Sequence, residues 1–371
     1  MAIKKPNFKF IVLLLAYLAA SIFIVAMIPY PLLVSKCAGM IPLSNFEGYK
    51  PFQYRVLMPL VIRGTEAITP NFIKEPIVRM AAPGIEARSI QRDQPAEAIG
   101  TALQYTYRTV LFIGLNILLM FFIMLAFRKL IKAFAFFPEM IADLLPLGLV
   151  LIIPIFYEYS VFIYDFSHLL LFTLGLYYLY KQNWPVYLIV LGLGILNKET
   201  MIMLAVIFFV YYLTILPRRL FIKLLIGQLA IFIVIKLALY LVFVNNPGVF
   251  MEEHFMRNIH HLANLSNYFR FETFPKGMLL PFMINIPWPR GLNVIMFGLL
   301  IYFIIYAWRS KPLFLRKSTA YFGITLILAV IWSYINELRS YYDFLPIIYI
   351  LSTMGAYSFY RNIILKAKHT G

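Results

Sequence analysis

The chain has 371 residues, 62% hydrophobic and only 13% charged, with a formal net charge of +17 and a mean hydropathy of +0.81. A soluble globular domain is about 45–50% apolar and about 25% charged, so a cytosolic enzyme, a disordered chain, a collagen and a disulfide scaffold are all excluded, and most of this chain has lipid as its solvent. The single cysteine, Cys37, leaves no internal disulfide and no Cys-based metal site. The basic residues lie beside apolar segments, so the charge reads as the cytoplasmic Lys/Arg bias of membrane proteins and no nucleic-acid partner is expected.

In chain order, the first apolar segment runs over about 8–30, after Lys4, Lys5 and Lys9. Its apolar run is longer than the ~7–15-residue core of a signal peptide and no Ala-x-Ala site follows, so a retained helix is expected. Further crossings are predicted at about 108–127, 138–157, 162–180, 185–197, 200–216, 221–244, 291–308, 319–336 and 344–360. The pair 185–197 and 200–216 is short for roughly 30 Å of hydrocarbon at about 1.5 Å per residue. The apolar stretch Met278–Trp288, interrupted by prolines, reads as interfacial or re-entrant. The expectation is an all-α, polytopic transmembrane bundle of about ten spans, with residues 1–371 forming one integral membrane domain.

Placing the N-terminus inside puts seventeen lysines and arginines in inner segments against two, Lys198 and Arg339, in the short outer turns. The long loops are left out of this count, as the positive-inside rule requires. Both termini are therefore expected in the cytoplasm. Two long extracytoplasmic loops result, 31–107, with amphipathic helical stretches such as Val56–Ala67, and 245–290. Fourteen of the sixteen acids fall outside or at outer helix ends, which suggests chemistry on that face.

Four clusters carry candidate chemistry. Residues 45–59 set Glu47 and Arg55 among aromatics and prolines; an arginine fork suits phosphate, and a carboxylate can take a proton from a hydroxyl. Glu158 precedes Asp165 and His168, which are three apart and share a helix face. Leu196-Asn-Lys-Glu-Thr, residues 196–200, offers Lys198 and Glu199 between two short apolar segments. Asn336-Glu-Leu-Arg-Ser-Tyr-Tyr-Asp, residues 336–343, offers Glu337 and Arg339, with Asp343 opening the next helix. Lys236, inside an apolar span, is expected to snorkel. His254, His260 and His261 lack the His-x-x-x-His spacing and no nearby cysteine assists, so a divalent metal there has no support in the sequence, and no cofactor is assigned.

At these residues the chain resembles the GT-C type of polytopic membrane glycosyltransferase. The resemblance rests on the layout over most of the chain, on Pro51–Pro59, on the paired short spans around Asn197-Lys-Glu-Thr200 and on the Glu337-Leu-Arg339 turn. It implies a bacterial plasma-membrane protein that takes a sugar from a polyprenyl-phosphate donor within the lipid. The sugar would pass to a lipid, glycan or protein acceptor on the extracytoplasmic face. Glu47 or Asp165 would then be the catalytic base, and Arg55, His168, Lys198, Glu199, Glu337 and Arg339 would bind substrate. The chain departs from the family in carrying a single acid, Glu47, some distance after the first span, where many members carry an acidic pair sooner. From another class, a transporter or flippase for a lipid-linked or anionic solute would use the same basic residues as a pathway. Charges along several mid-span helices would mark it, and only Lys236 and Gln228 are of that kind.

Overall fold

The computed structural model describes residues 8–28, 35, 37–90, 100–101, 103–157, 161–273 and 287–370. Glu158 and most of Met278–Trp288 lie outside the described residues. The described residues are mostly helical, and one short antiparallel pair, β1 (Phe271–Thr273) and β2 (Pro287–Pro289), holds the only named strands among them.

Each of the ten predicted crossings coincides with helix over most of its described length. The first is α1 (Phe8–Met27). The first long loop then carries α2 (Met40–Asn45), α3 (Leu57–Ile68) and α4 (Asn71–Ile90). Next come α5 (Thr106–Ala133), the broken helix α6 (Glu139–Leu144) and α7 (Leu149–Phe156), and α8 (Asp165–Tyr180). The short pair is α9 (Trp184–Asn197) and α10 (Met203–Tyr212), separated by a 3-10 turn at Glu199–Ile202. After α11 (Arg218–Val242), the second long loop holds α12 (Phe255–Ala263). The chain ends with α13 (Val294–Ile305), α14 (Leu313–Ser318), α15 (Ala320–Trp332), a 3-10 stretch at Leu338–Phe344 and α16 (Leu345–Thr370). Among the described residues, five helical stretches are long and apolar enough to cross a membrane: Phe8–Met27, Thr106–Ala133, Glu139–Phe156, Arg218–Val242 and Leu313–Trp332. They mark a membrane protein.

Burial separates the helices into two kinds. Most of α8 is buried, including Phe166, Leu169, Phe172 and Leu176, because it packs between α5 and α9. In contrast, α11 buries only Phe221, Leu224, Gln228 and Leu239, and turns Ile226, Ile233, Val234 and Leu241 outward. A helix that is apolar all round but half uncovered suits a lipid boundary. Lipid removes the driving force of water exclusion between spans, so close packing and internal hydrogen bonds must hold the interior together. Gly355 shows the first of these: a Cβ there would meet the backbone of Phe303, so α13 and α16 touch only because the side chain is absent. The second appears in Tyr187, whose hydroxyl donates to Gln228 Oε1 at 2.7 Å inside the bundle.

The two long loops meet beside the end of α9. Asn246 donates to the carbonyls of Phe46 and Gly48, each at 3.0 Å, and the Lys50 amide donates to Pro247 O at 2.8 Å. Gly248 has φ +91°, and a Cβ there would lie 2.6 Å from Lys50 O. Only glycine combines that backbone with that approach. The Val56 amide then donates to Leu196 O at 2.9 Å, which fixes Arg55 against the turn that carries Lys198 and Glu199.

Candidate functional site

Four chain segments far apart in sequence come together at one end of the bundle: the 3-10 turn Phe52–Tyr54 with Arg55, the start of α8, the turn after α9, and the Leu338–Phe344 stretch. A buried amide locks two of them. Asn197 accepts from Ser167 Oγ and donates to Tyr164 O, both at 2.8 Å. The end of α9 and the first turn of α8 are therefore held in one register.

Arg55 points its guanidinium at Glu199, with Nη2 2.6 Å from Oε1 and Nε 3.4 Å from Oε2. Tyr164 covers it at 4.4 Å from the ring centre. Lys236 of α11 reaches the same carboxylate at 3.4 Å. Lys236 therefore does not snorkel as the sequence suggested; an acid lies within its reach, and pairing lowers the cost of an ammonium at that depth.

Asp165 is 1% exposed. Its Oδ2 accepts the Phe162 amide at 2.8 Å and lies 3.9 Å from Arg339 Nη1. Arg339 donates to Glu337 at 2.7 Å, and its guanidinium lies 3.7 Å over the Phe162 ring. Asp165 Oδ1 takes no part in these two contacts. His168 does not pair with Asp165, although the two share a helix face. Its Nε2 lies 2.6 Å from Asp343 Oδ1 and 3.4 Å from Thr200 Oγ1, and both partners of the His168–Asp343 pair have fully buried side chains. The α8 backbone aims the two side chains at different parts of the Leu338–Phe344 stretch, and each meets its own partner there.

Lys198 is 8% exposed. Its ammonium sits 4.2 Å from the centre of the Tyr342 ring and has no carboxylate within ion-pair distance among the described residues. Burial pushes this ammonium below its ordinary value, against the pull of Asp343. Burial would raise the Asp343 carboxyl, but His168 and Lys198 outweigh it and hold the group down at about 2. Around the pair, Tyr157 and Tyr342 are fully buried, and their hydroxyls, with His168 Nδ1, lack a hydrogen-bond partner.

Of the residues singled out in the sequence, Arg55, Asp165, His168, Lys198, Glu199, Glu337 and Arg339 thus form one contiguous network of charges and rings. Glu47 does not join it. Its side chain is exposed and has no ion pair or hydrogen bond among the described residues, although its loop is fixed by Asn246. Asp343, named in the fourth cluster but given no role there, belongs to the network, as do Tyr157, Tyr164 and Tyr342, which were not singled out. Asp343 gave a signal as an acid expected to open a helix, although the structure places it in the 3-10 stretch before α16; tyrosines in a chain with 26 of them gave none.

Four cations, four acids and a histidine here give no single-sign field. Within this cluster the Lys198 ammonium and the Asp165 and Asp343 carboxylates are the groups that an anion and an exchanging proton could meet. Among the described residues no group of three or more His, Cys, Asp or Glu is placed to hold a metal ion. No family model, curated protein or solved structure matches the chain.

Proposed function

We propose that the protein transfers a sugar from a polyprenyl-phosphate-linked donor to an acceptor hydroxyl at the extracytoplasmic face of a bacterial plasma membrane. In this reading all ten apolar segments cross the bilayer, and both termini are cytoplasmic. The observation that carries it is the meeting, in one walled cluster, of a buried ammonium with no carboxylate in ion-pair distance among the described residues, Lys198, and a buried carboxylate, Asp165.

The chemistry follows from what each group can still do. Lys198, assisted by Arg339 and Arg55, takes the donor phosphate and stabilises the charge that grows on it as it leaves, an electrostatic contribution of the oxyanion-hole type. Asp165 accepts the proton of the acceptor hydroxyl. The acceptor oxygen bonds to the anomeric carbon, the bond from that carbon to the phosphate oxygen breaks, and the phosphate keeps the electron pair. One displacement inverts the anomeric configuration. Glu199 and Glu337 hold Arg55 and Arg339 in line, which limits the reorganisation needed during reaction. The isolated mid-span polar groups that a transport pathway would use are instead tied inside the protein, Lys236 to Glu199 and Gln228 to Tyr187.

The test is mass spectrometry of lipid-linked sugars and surface glycans from cells with and without the protein. Loss of one sugar from a glycan, with its polyprenyl-phosphate donor accumulating, is the expected result. Unchanged glycans and donors would overturn the reading.

A further inference from the structure

The second long loop has three distinct sides, and the proposed chemistry uses none of them. Asn258 of α12 is 1% exposed. Its Nδ2 donates to the carbonyls of Ala329, Val330 and Ser333 at 3.3, 2.8 and 2.5 Å, and its Oδ1 accepts the Ile335 amide at 3.1 Å. One side chain thus caps the end of α15, where the last carbonyls of a helix run out of backbone partners, and binds the segment that follows it. The His254 amide donates to Ile331 O at 2.9 Å, and the His254 ring stacks on Tyr334 at 4.0 Å. This side is latched to the segment that leads into Arg339.

A second side faces away from the protein and is apolar. Phe255 is 40% exposed, Met256 63% and Ile259 40%. Just before them, Val249, Phe250 and Met251 are 57, 61 and 47% exposed. Soluble surfaces rarely gather so many large apolar groups in one place. This patch follows directly on the outward flank of α11, where Leu237, Leu241 and Val242 are 56, 62 and 71% exposed. The third side is polar: Arg257 stands two residues before Ile259, about 160° away around the helix axis, with its guanidinium 4.4 Å over the Tyr334 ring.

We propose that residues 249–259 seat in the headgroup–acyl boundary of the leaflet in which α11 ends, with α12 lying in the plane of the membrane. Continuity with the apolar flank of α11 decides for lipid as the occupant. A helix with one apolar and one basic side settles about 5–10 Å into such a boundary. The Asn258 latch holds it there against the end of α15. This docking does not depend on the glycosyl-transfer reading.

The test uses the full chain with Cys37→Ser, in nanodiscs of phosphatidylethanolamine and phosphatidylglycerol, carrying a nitroxide on Ile259→Cys or on Arg257→Cys. At 259 the label should relax faster with oxygen than with a water-soluble nickel chelate, and at 257 the order should reverse. Met256→Cys repeats the first measurement should the label at 259 prevent folding. Equal access to the nickel chelate at both faces would overturn the proposal. Disulfide cross-linking between copies through Ile259→Cys would overturn it as well, by making a second copy the occupant.

Discussion

The two ends of α8 hold charges in opposite ways. At its start, Asp165 and His168 are buried and pair with residues from the far end of the sequence, Arg339 and Asp343. Near its other end, where Lys129 lies 4.6 Å over the Tyr177 ring, the ion pairs are local and wet. Arg128 meets Asp143 at 2.7 Å and Lys132 meets Glu139 at 3.1 Å, with the Glu139 side chain 84% exposed. Half-exposed pairs contribute about 0–1 kcal/mol each, whereas removing one partner of a buried pair costs roughly 3–5 kcal/mol because the other charge stays buried. Local pairs at the wet end orient and solubilise. Buried pairs between distant segments constrain the fold, and they recur where ionisable groups at membrane depth serve a cavity or a pathway.

Substitutions at the two ends should therefore differ, and the greatest contrast is in turnover. Asp165→Asn should lower sugar transfer by about 10²–10⁴-fold with donor binding nearly intact, while Asp143→Asn leaves transfer close to that of the parent protein. Single-turnover assays in nanodiscs separate the two steps, and a fully active Asp165→Asn would remove the base.

Next is stability. Asp343→Ala takes from the buried Lys198 ammonium its main balancing carboxylate and from His168 Nε2 its partner, and should cost about 3–5 kcal/mol; Glu139→Ala should cost less than about 1 kcal/mol. Thermal unfolding in detergent reads both, and equal costs would erase the contrast between the ends.

Donor affinity should change less. Lys198→Ala removes a charge-assisted contact and should weaken donor binding by about 1.5–3 kcal/mol, read by titration with the lipid-phosphate donor. Lys317→Ala, whose ammonium lies 6.0 Å from the Tyr211 ring, should leave it unchanged.

Acid gives a milder test. The Asp343 carboxyl is held at about 2 in the fold, below its ordinary value. A group depressed in this way contributes stability that is whole above its unfolded pKa, about 3.9, and lost as pH falls through the folded one. Unfolding temperature should decline between about pH 4 and 2, and Asp343→Asn should flatten that decline.

The smallest change is expected from Glu47→Gln, which should reduce transfer far less than Asp165→Asn. A loss at Glu47 as large as that at Asp165 would return the base to the first loop.

The sequence by itself determined where the apolar helices lie, though not the loop helices Asn71–Ile90 and Phe255–Ala263. Apolar runs bounded by basic residues and prolines are local signals, and a helix satisfies its own backbone in lipid without help from the rest of the chain. It also drew attention to Arg55, Asp165, His168, Lys198, Glu199, Glu337 and Arg339, because charges among apolar residues stand out. It misjudged how they pair. Spacing of three suggested Asp165 with His168, and an isolated Lys236 suggested a snorkelling side chain. Only the tertiary structure sends His168 to Asp343 and brings Arg55 and Lys236 to one carboxylate, Glu199. The reason is physical: a buried charge goes to whichever opposite charge the packing brings within reach, and in a bundle that neighbour comes from another helix end with no fixed offset in sequence.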